Sequence, residues 1–383
     1  MRIGIIGTGV AGSLLAEALL DRKGIEATAF ERVTPDDHAE AGTGLNVGPN
    51  AMKALRLSLP VRHAALRAAS LEWRRWFVDL TDGTRLFDLD LLDVAEETGM
   101  RIRWSELYRL LRAPVAGCTH HRHVLEALEE DPQGRLVPVF RTTDGVARHG
   151  GFDLLVGADG RYSRLRALTA GEPESTPLGV CIWRLLVTEA ADCPYDDYGQ
   201  WFQGNARLLS FRVPGGAVYI AGTFPLHGAD HVPDAMRTVE AQRALFTPAG
   251  APPCPAVAWM LDRIEAGFAD IHWARSATAP LLRHDASGRA LFLGDAAQAM
   301  VPTLGQGATQ AVECAVVAAD VLRRGGTVAE IAARRDPRVE FIRAFSLQAS
   351  DTLVPGTDVV EGTRAKMRPD FQARLRRTYT DLA

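Results

Sequence analysis

The chain reads as an α/β protein: a Rossmann-like nucleotide-binding domain with an interleaved, mostly antiparallel β-sheet domain. Three observations predict this. The first 32 residues hold a complete strand, glycine turn, helix and strand. Two later apolar strands, 152–156 and 290–293, end on GADG and GD pairs. Two aromatic-rich stretches, 71–91 and 179–280, show the alternation and turn residues of strands.

In the N-terminal unit, residues 2–6 form a short apolar strand. Gly7, Gly9 and Gly12 follow as GxGxxG, then an amphipathic run at 13–21 and a second apolar run at 27–30 that ends on Glu31. This is the context in which the glycine pattern has physical meaning. Gly7 allows the tight turn, Gly9 lets backbone approach a diphosphate, and Gly12 lets helix and strand pack closely. A diphosphate would sit on the positive end of the helix, and Glu31 would accept hydrogen bonds from ribose hydroxyls. A signal peptide is the competing reading. The glycines interrupt any apolar helix and Glu17 and Asp21 come early, which rejects it.

At 383 residues the chain is long enough for two domains. Hydrophobic residues at 47% and charged residues at 23% are ordinary globular values. A net charge of −4 argues against nucleic acid as a main partner, and no apolar run is long enough to span a membrane. The five cysteines are scattered and lack CxxC spacing, which predicts a reducing, cytoplasmic setting and no redox dithiol.

A polar linker at 34–40 precedes GTGLNVGPNAMKAL, where Gly42, Gly44 and Gly48 permit close backbone approach and Pro49 can start a helix. Asn50 is the notable polar residue there, with a first-turn helix position as its plain explanation. Residues 71–91 alternate around Asp82-Gly83, a two-residue hairpin signal. Residues 101–112 are helical in pattern, with Leu107, Leu110 and Leu111 on one side and Ser105 as cap. His120, His121 and His123 near Cys118 raise a metal site. With no second ligand cluster following, surface histidines on a strand are the better reading, and no metal is expected.

Strands follow at 136–140 and 152–156, the latter placing Asp159 at the carboxyl edge of the sheet, where open α/β folds bind ligands. Residues 179–280 are strand-rich with one helical stretch at 236–245. Their aromatic residues either fill a sheet core or line a pocket for a flat, apolar ligand. Asp295 again ends a strand. A glycine-rich loop at 302–307 precedes an alanine-rich helix at 308–322, whose first N–H groups favour an electron-rich group in front of them. The tail from 351 carries six basic residues between Arg364 and Arg377 and at most two helical pieces, read as a solvated or oligomer-covering face.

No second GxGxxG unit exists, so the chain lacks the paired nucleotide folds of two-Rossmann reductases. Four segments occur in an order that resembles the group A flavoprotein monooxygenases, the para-hydroxybenzoate hydroxylase-like family. They are GIIGTGVAGSLLAEAL with FER, GTGLNVGPNAMKAL, DLLVGADGRYSRLR and LFLGDAAQAMVPTLGQGATQAVECA, spanning residues 3 to about 322. The resemblance implies FAD, with Gly7, Gly9, Val10, Ala11, Gly12, Glu31 and Arg32 on its adenosine diphosphate half. Gly44, Leu45, Arg103 and Val124 are further implied contacts. Asp159 would lie between FAD and the nicotinamide, and Asp295 would bind the ribityl chain. Pro302, Gly305, Gln306, Gly307, Ala308 and Thr309 would frame the flavin ring.

Two departures stand out. Gln298 occupies the fifth position of Gly-Asp-Ala-Ala-His, and Trp104, beside Arg103, stands where many members have arginine. The WSELYRLLR form and the Gly-Thr-Gly are similar to the 2,6-dihydroxypyridine hydroxylase branch.

The resemblance implies domains at 1–70, 99–178 and 281–350 for FAD, at 71–98 and 179–280 for substrate, and a helical tail at 351–383. It implies NADH or NADPH and O₂ as co-substrates, a small electron-rich aromatic or N-heteroaromatic substrate hydroxylated through a flavin hydroperoxide, and a homodimer. Arg184, Trp201, Tyr219 and Gln298 are candidates for the substrate pocket. The catalytic base is not identified; His272, His284, Tyr219 and Arg184 are weighed for it, and Gln298 cannot act as one. The alternatives are a flavin oxidoreductase without oxygen insertion, a Baeyer–Villiger or epoxidising enzyme, and a flavin-binding partner protein.

Overall fold

The computed structural model describes residues 1–20, 22–37 and 43–382. Asp21, Gly42 and the end of the linker fall outside them. The nucleotide half is built on a five-stranded parallel sheet in the order Ala290–Phe292, Leu154–Gly157, Arg2–Ile6, Glu26–Phe30, Thr119–His120. The strands are buried on both faces, which explains their continuous apolar sequences. Ile3, Ile5, Leu154 and Val156 face the helices Val10–Leu19 and Gln306–Arg323. Phe30, Leu155 and Phe292 face the opposite way, onto Leu125 and Phe140 of a three-stranded sheet.

The second half is a seven-stranded sheet in the order His272–Thr278, Thr176–Val187, Ala217–Pro225, Ala206–Val213, Tyr198–Gln203, Arg75–Leu80, Arg85–Asp90. All pairings are antiparallel except that of Tyr198–Gln203 with Arg75–Leu80. The hairpin around Asp82 closes differently from the predicted two-residue turn. Its loop spans 81–83, with Gly83 at φ +95° and Thr84 N–H donating to Asp82 Oδ1. That is the longer loop with a left-handed glycine, chosen because Leu80 pairs with Thr84.

Other elements also depart from the sequence reading. Residues 99–103 form a strand against Gly44–Val47, so the helix starts only at Trp104, with Arg103 before it and no side-chain cap from Ser105. Helix Pro255–Ala266 and the 22-residue helix Val328–Ala349 were not anticipated. The tail does form two helices, Val359–Ala365 and Pro369–Thr380. It is not simply solvated, because Leu375 and Tyr379 are buried against Trp73 and Phe345. No helix among the described residues is long and apolar enough to cross a membrane.

Helix Gln306–Arg323 is locked in place by a buried ionic cluster. Glu313 accepts from Arg335 at 2.8 Å and from Arg338 at 2.7 and 2.8 Å. Asn50, from the helix Pro49–Ser58, donates to the same carboxylate, so it is more than a first-turn residue. Burial alone would raise the Glu313 carboxyl; the two guanidinium groups outweigh it and hold the pKa below the usual range. The resulting stabilisation is complete above the unfolded carboxyl's pKa and is lost as pH falls below it. Glu313→Gln leaves two buried arginines uncompensated and is expected to cost about 3–5 kcal/mol. Urea unfolding at pH 7 measures this, and the difference from wild type should shrink on acidification.

Candidate active site

The glycine turn leaves no room for a side chain at Gly7 or Gly12, whereas a Cβ on Gly9 would meet only Ala158 O, at 3.8 Å. Gly7 sits at φ +95°, and a Cβ on Gly12 would lie 2.0 Å from Gly7 O. Gly9 precedes the helix Val10–Leu19, whose N-terminus has no side-chain cap and no acidic residue in its first turn. The N–H groups of Val10, Ala11 and Gly12 are therefore left for an anion.

Glu31 is buried beside them. Its Oε2 accepts from Thr8 N at 2.7 Å and Thr8 Oγ1 at 2.8 Å, and its Oε1 accepts from Val33 N at 3.3 Å. Among the described residues no other donor reaches Oε1. Exposed Arg32 follows it in sequence. Arg112 joins this site, 3.6 Å from Glu31 and donating to Thr8 O at 3.0 Å. Sequence reading missed it because it lies at the last turn of a helix, with no motif to mark it. Val124 follows His123, whose N–H donates to Glu31 O at 2.9 Å.

Asp159 is committed to its own loop. It accepts from Ser163 Oγ at 2.6 Å and Arg164 N at 2.7 Å, which organises the start of helix Arg164–Ala170. Burial raises its pKa and these bonds oppose the rise. Its backbone backs the glycine turn, with Ala158 O against Gly7.

A cleft of 290 Å³ lies between the two halves. On the nucleotide side it is lined by Gly44, Leu45, Trp104, Asp295, Pro302, Gly305, Gly307 and Ala308. Gly44 pairs with Arg103, and a Cβ there would meet Val213 and Tyr219 of the other sheet at 2.8 and 3.1 Å. Gly305 has φ +64°, and a Cβ on Gly307 would meet nothing within 4 Å, so the start of the long helix faces open space. Gln306 and Thr309 point inward: Gln306 accepts from Asn50, and Thr309 Oγ1 accepts from Gly48 N at 2.9 Å. Asp295 opens to the cleft with protein around its other sides. Its side chain is exposed to the cleft; the protein crowded around it raises its pKa, Arg161 lowers it, and no hydrogen bond to it is present among the described residues. A second groove of 410 Å³, lined by Arg22, Leu57, Asp320 and Arg323, lies elsewhere and has no such glycine cradle.

The sheet side of the cleft carries Arg184, Tyr198, Arg207, Leu209, Phe211, Tyr219 and Arg275, with Arg161 at the edge. Arg184 and Tyr219, two of the pocket candidates, thus line the cleft. Trp201 does not, because Tyr198 and Trp201 are an odd number of residues apart on one strand and face opposite sides. Trp201 packs with Phe77 and Tyr195 in the core behind the sheet. Gln298 is also removed from the cleft; it accepts from Arg283 at 2.7 Å and donates toward Cys314. His272 is exposed on the edge strand, and His284 Nδ1 is bonded to Asp285 O at 2.7 Å, so neither lines the cleft. No histidine is among the described lining residues.

Arg207 and Tyr198 are what sequence reading missed. Arg207 is 3% exposed; among the described residues its guanidinium makes one hydrogen bond, to Gln200 Oε1 at 3.4 Å, and its Nε has no partner. Burial lowers its pKa. Tyr198 accepts from Gln200 Nε2 at 2.9 Å, and burial pushes its hydroxyl up to about 12. Strand periodicity pairs Tyr198 with Gln200, yet only the tertiary packing says which face meets the nucleotide half.

Outside the cleft, the predicted strand of histidines is broken. Arg122 adopts φ 60°, which turns His120 and His123 to one side and sends His121 to Val33 O at 3.1 Å. His149 joins them from a neighbouring hairpin. Burial first, and then His120 and His123, push its pKa down to about 4.

This fold and cleft define a dinucleotide-dependent oxidoreductase with a single nucleotide fold and a separate sheet over the reaction space. No family model matches the chain. The 3-amino-4-hydroxybenzoate 2-monooxygenase of Streptomyces platensis is 33% identical over 342 residues, 84% of this chain and 79% of that protein. The FAD-dependent urate hydroxylase of Klebsiella pneumoniae is 28% identical over 359 residues, 88% of this chain and 87% of that one. The crystal structure of Klebsiella pneumoniae HpxO with FAD and uric acid shares the fold, with a TM-score of 0.81 at 23% identity over 99% of this chain and 96% of that one. The chain belongs to the group A flavoprotein monooxygenases, FAD-dependent enzymes that hydroxylate aromatic compounds and typically use NAD(P)H.

The residues present fit that cofactor. The helix end is uncapped, Gly7 and Gly12 exclude side chains from the turn, Gly307 faces open space, and among the described residues Asp295 accepts no hydrogen bond.

Proposed function

We propose that the substrate is a small hydroxy-aromatic or hydroxy-N-heteroaromatic compound bound as an anion, and that Arg207 is its main charge partner. Four arginines and one carboxylate line the cleft. The observation that carries the reading is Arg207, a buried guanidinium with five N–H donors and a single long hydrogen bond. Such a group is costly to leave unpaired and is well matched to a carboxylate or phenolate. The names of the relatives fit, since aminohydroxybenzoate and urate are both anionic at neutral pH.

FAD, when bound, takes electrons from NAD(P)H, activates dioxygen and supplies one oxygen atom to the ring. The chain's residues do the rest. Val10, Ala11, Gly12 and Glu31 would hold the adenosine diphosphate half, and Asp295, Pro302, Gly305, Gly307 and Ala308 the flavin half. Ile182, Leu209, Phe211 and Ala221 give the cleft an apolar wall that would help exclude water around a bound ring. Tyr198 accepts from Gln200 and so has its own O–H to donate to a substrate oxygen. No histidine base is needed if the substrate arrives ionised. A cation about 4 Å away favours a phenolate by about 4 kcal/mol at intermediate dielectric, close to three pK units.

The five free thiols support a cytoplasmic enzyme. Binding tests the reading directly. A hydroxybenzoate should perturb the flavin absorbance at least tenfold more tightly than its methyl ester. Equal affinity of acid and ester would exclude a carboxylate as the partner of Arg207, and equal affinity of the ester and its O-methyl ether would exclude a phenolate as well.

A further inference from the structure

We propose that His120, His123 and His149 form a binding site for one late first-row divalent metal ion, such as zinc, next to the adenosine end of the nucleotide cradle. Each histidine offers one ring nitrogen, and the three nitrogens lie within 4.8 Å of one another. His123 Nε2 and His149 Nε2 are 3.0 Å apart. Two nitrogens on a tetrahedral zinc, each at about 2.0–2.1 Å, are about 3.3 Å apart, so this pair is already near ligating distance. Without a metal the same pair shares one proton. With a metal, His149 moves that proton to Nδ1 and turns the Nε2 lone pair to the ion.

The site is built. His123 Nδ1 lies 2.7 Å from His121 O, so this ring carries its proton on Nδ1 and presents a free lone pair at Nε2. A carbonyl behind a ligating imidazole is the usual way of fixing its orientation. Phe30 packs against all three rings, stacked on His120 at 5.4 Å and edge-on to His149 at 4.8 Å, which limits their rotamers. The rings come from two separate segments, joined by the left-handed turn at Arg122 and by the hairpin that ends at His149. Among the described residues the cluster contains no carboxylate, which favours zinc, copper or nickel over magnesium or calcium. His120 is exposed, leaving a position for water.

The site would also reach the cofactor cradle. Glu31 N–H donates to His120 O at 2.8 Å, and His123 N–H donates to Glu31 O at 2.9 Å. An ion joining His120 to His123 therefore braces the backbone that carries Glu31.

The test uses the untagged holoenzyme after chelator treatment and desalting, titrated with zinc against a chromophoric chelator, with cobalt as spectroscopic probe. The expected result is one zinc per chain and a tetrahedral cobalt spectrum. His149→Gln and, separately, the exposed His120→Asn should each lower affinity at least about 100-fold, the upper end of what losing a supporting group costs. Both should keep the wild-type flavin spectrum, which shows that they fold. Absence of zinc binding in the wild type, or equal binding by wild type and both variants, would overturn the assignment.

Discussion

Arg207→Gln is expected to lower kcat/KM for the anionic substrate by about 10²–10³-fold while leaving the bound flavin spectrum unchanged. The size follows from removing one partner of a buried charge-assisted contact, which costs about 3–4 kcal/mol. The selectivity follows from position, since Arg207 stands on the seven-stranded sheet, across the cleft from the glycine-rich lining. Stability should not suffer. Lys366 is close enough for Arg207 to lower its pKa, after the larger effect of burial, so deleting Arg207 relieves a like-charge repulsion. The remaining turnover should be uncoupled, with NAD(P)H oxidised and less hydroxylated product per equivalent. Product and NAD(P)H measured together check this; loss of flavin or of folding would assign Arg207 a structural role.

Gly12→Ala is expected to yield protein that does not retain FAD. The added Cβ lies 2.0 Å from Gly7 O, a backbone atom that cannot step aside cheaply. Gly7 is itself confined, at φ +95° with Ala158 O where its own Cβ would be, so the whole turn must open. That moves the helix end away from the diphosphate and is expected to weaken FAD by at least ~10³-fold, about 4 kcal/mol. The strain of overpacking adds about 1–3 kcal/mol to the loss of stability. Gly307→Ala is the control, because its Cβ finds nothing within 4 Å in the protein. It should fold normally and change only how the flavin ring sits, visible as a shifted absorbance spectrum.

The nucleotide half was legible because its chemistry is written in local sequence. Arg2–Ile6, the glycines and Glu31 are fixed by turn geometry and by spacing along one βαβ unit. The substrate side was legible as sheet but not as site. Alternation says that Tyr198 and Trp201 face opposite ways; it does not say which face meets the flavin. Large aromatic residues drew attention to Trp201, yet that face packs against the helix Pro255–Ala266. Arg207, Arg112 and His149 were missed for one reason: each reaches its place through contacts with segments distant in sequence. Gln298 illustrates the converse, a motif position that packing has turned into a buried link between Arg283 and Cys314.

The most direct test of the account is turnover under ¹⁸O₂ with NAD(P)H and a panel of hydroxybenzoates, hydroxypyridine carboxylates and their neutral esters, with products analysed by mass spectrometry. The account predicts one ¹⁸O atom in a new ring hydroxyl, product close to stoichiometric with NAD(P)H, and preference for the anionic members. Label in an inserted ester oxygen, oxidation without any labelled product across the panel, or preference for the neutral esters would contradict it.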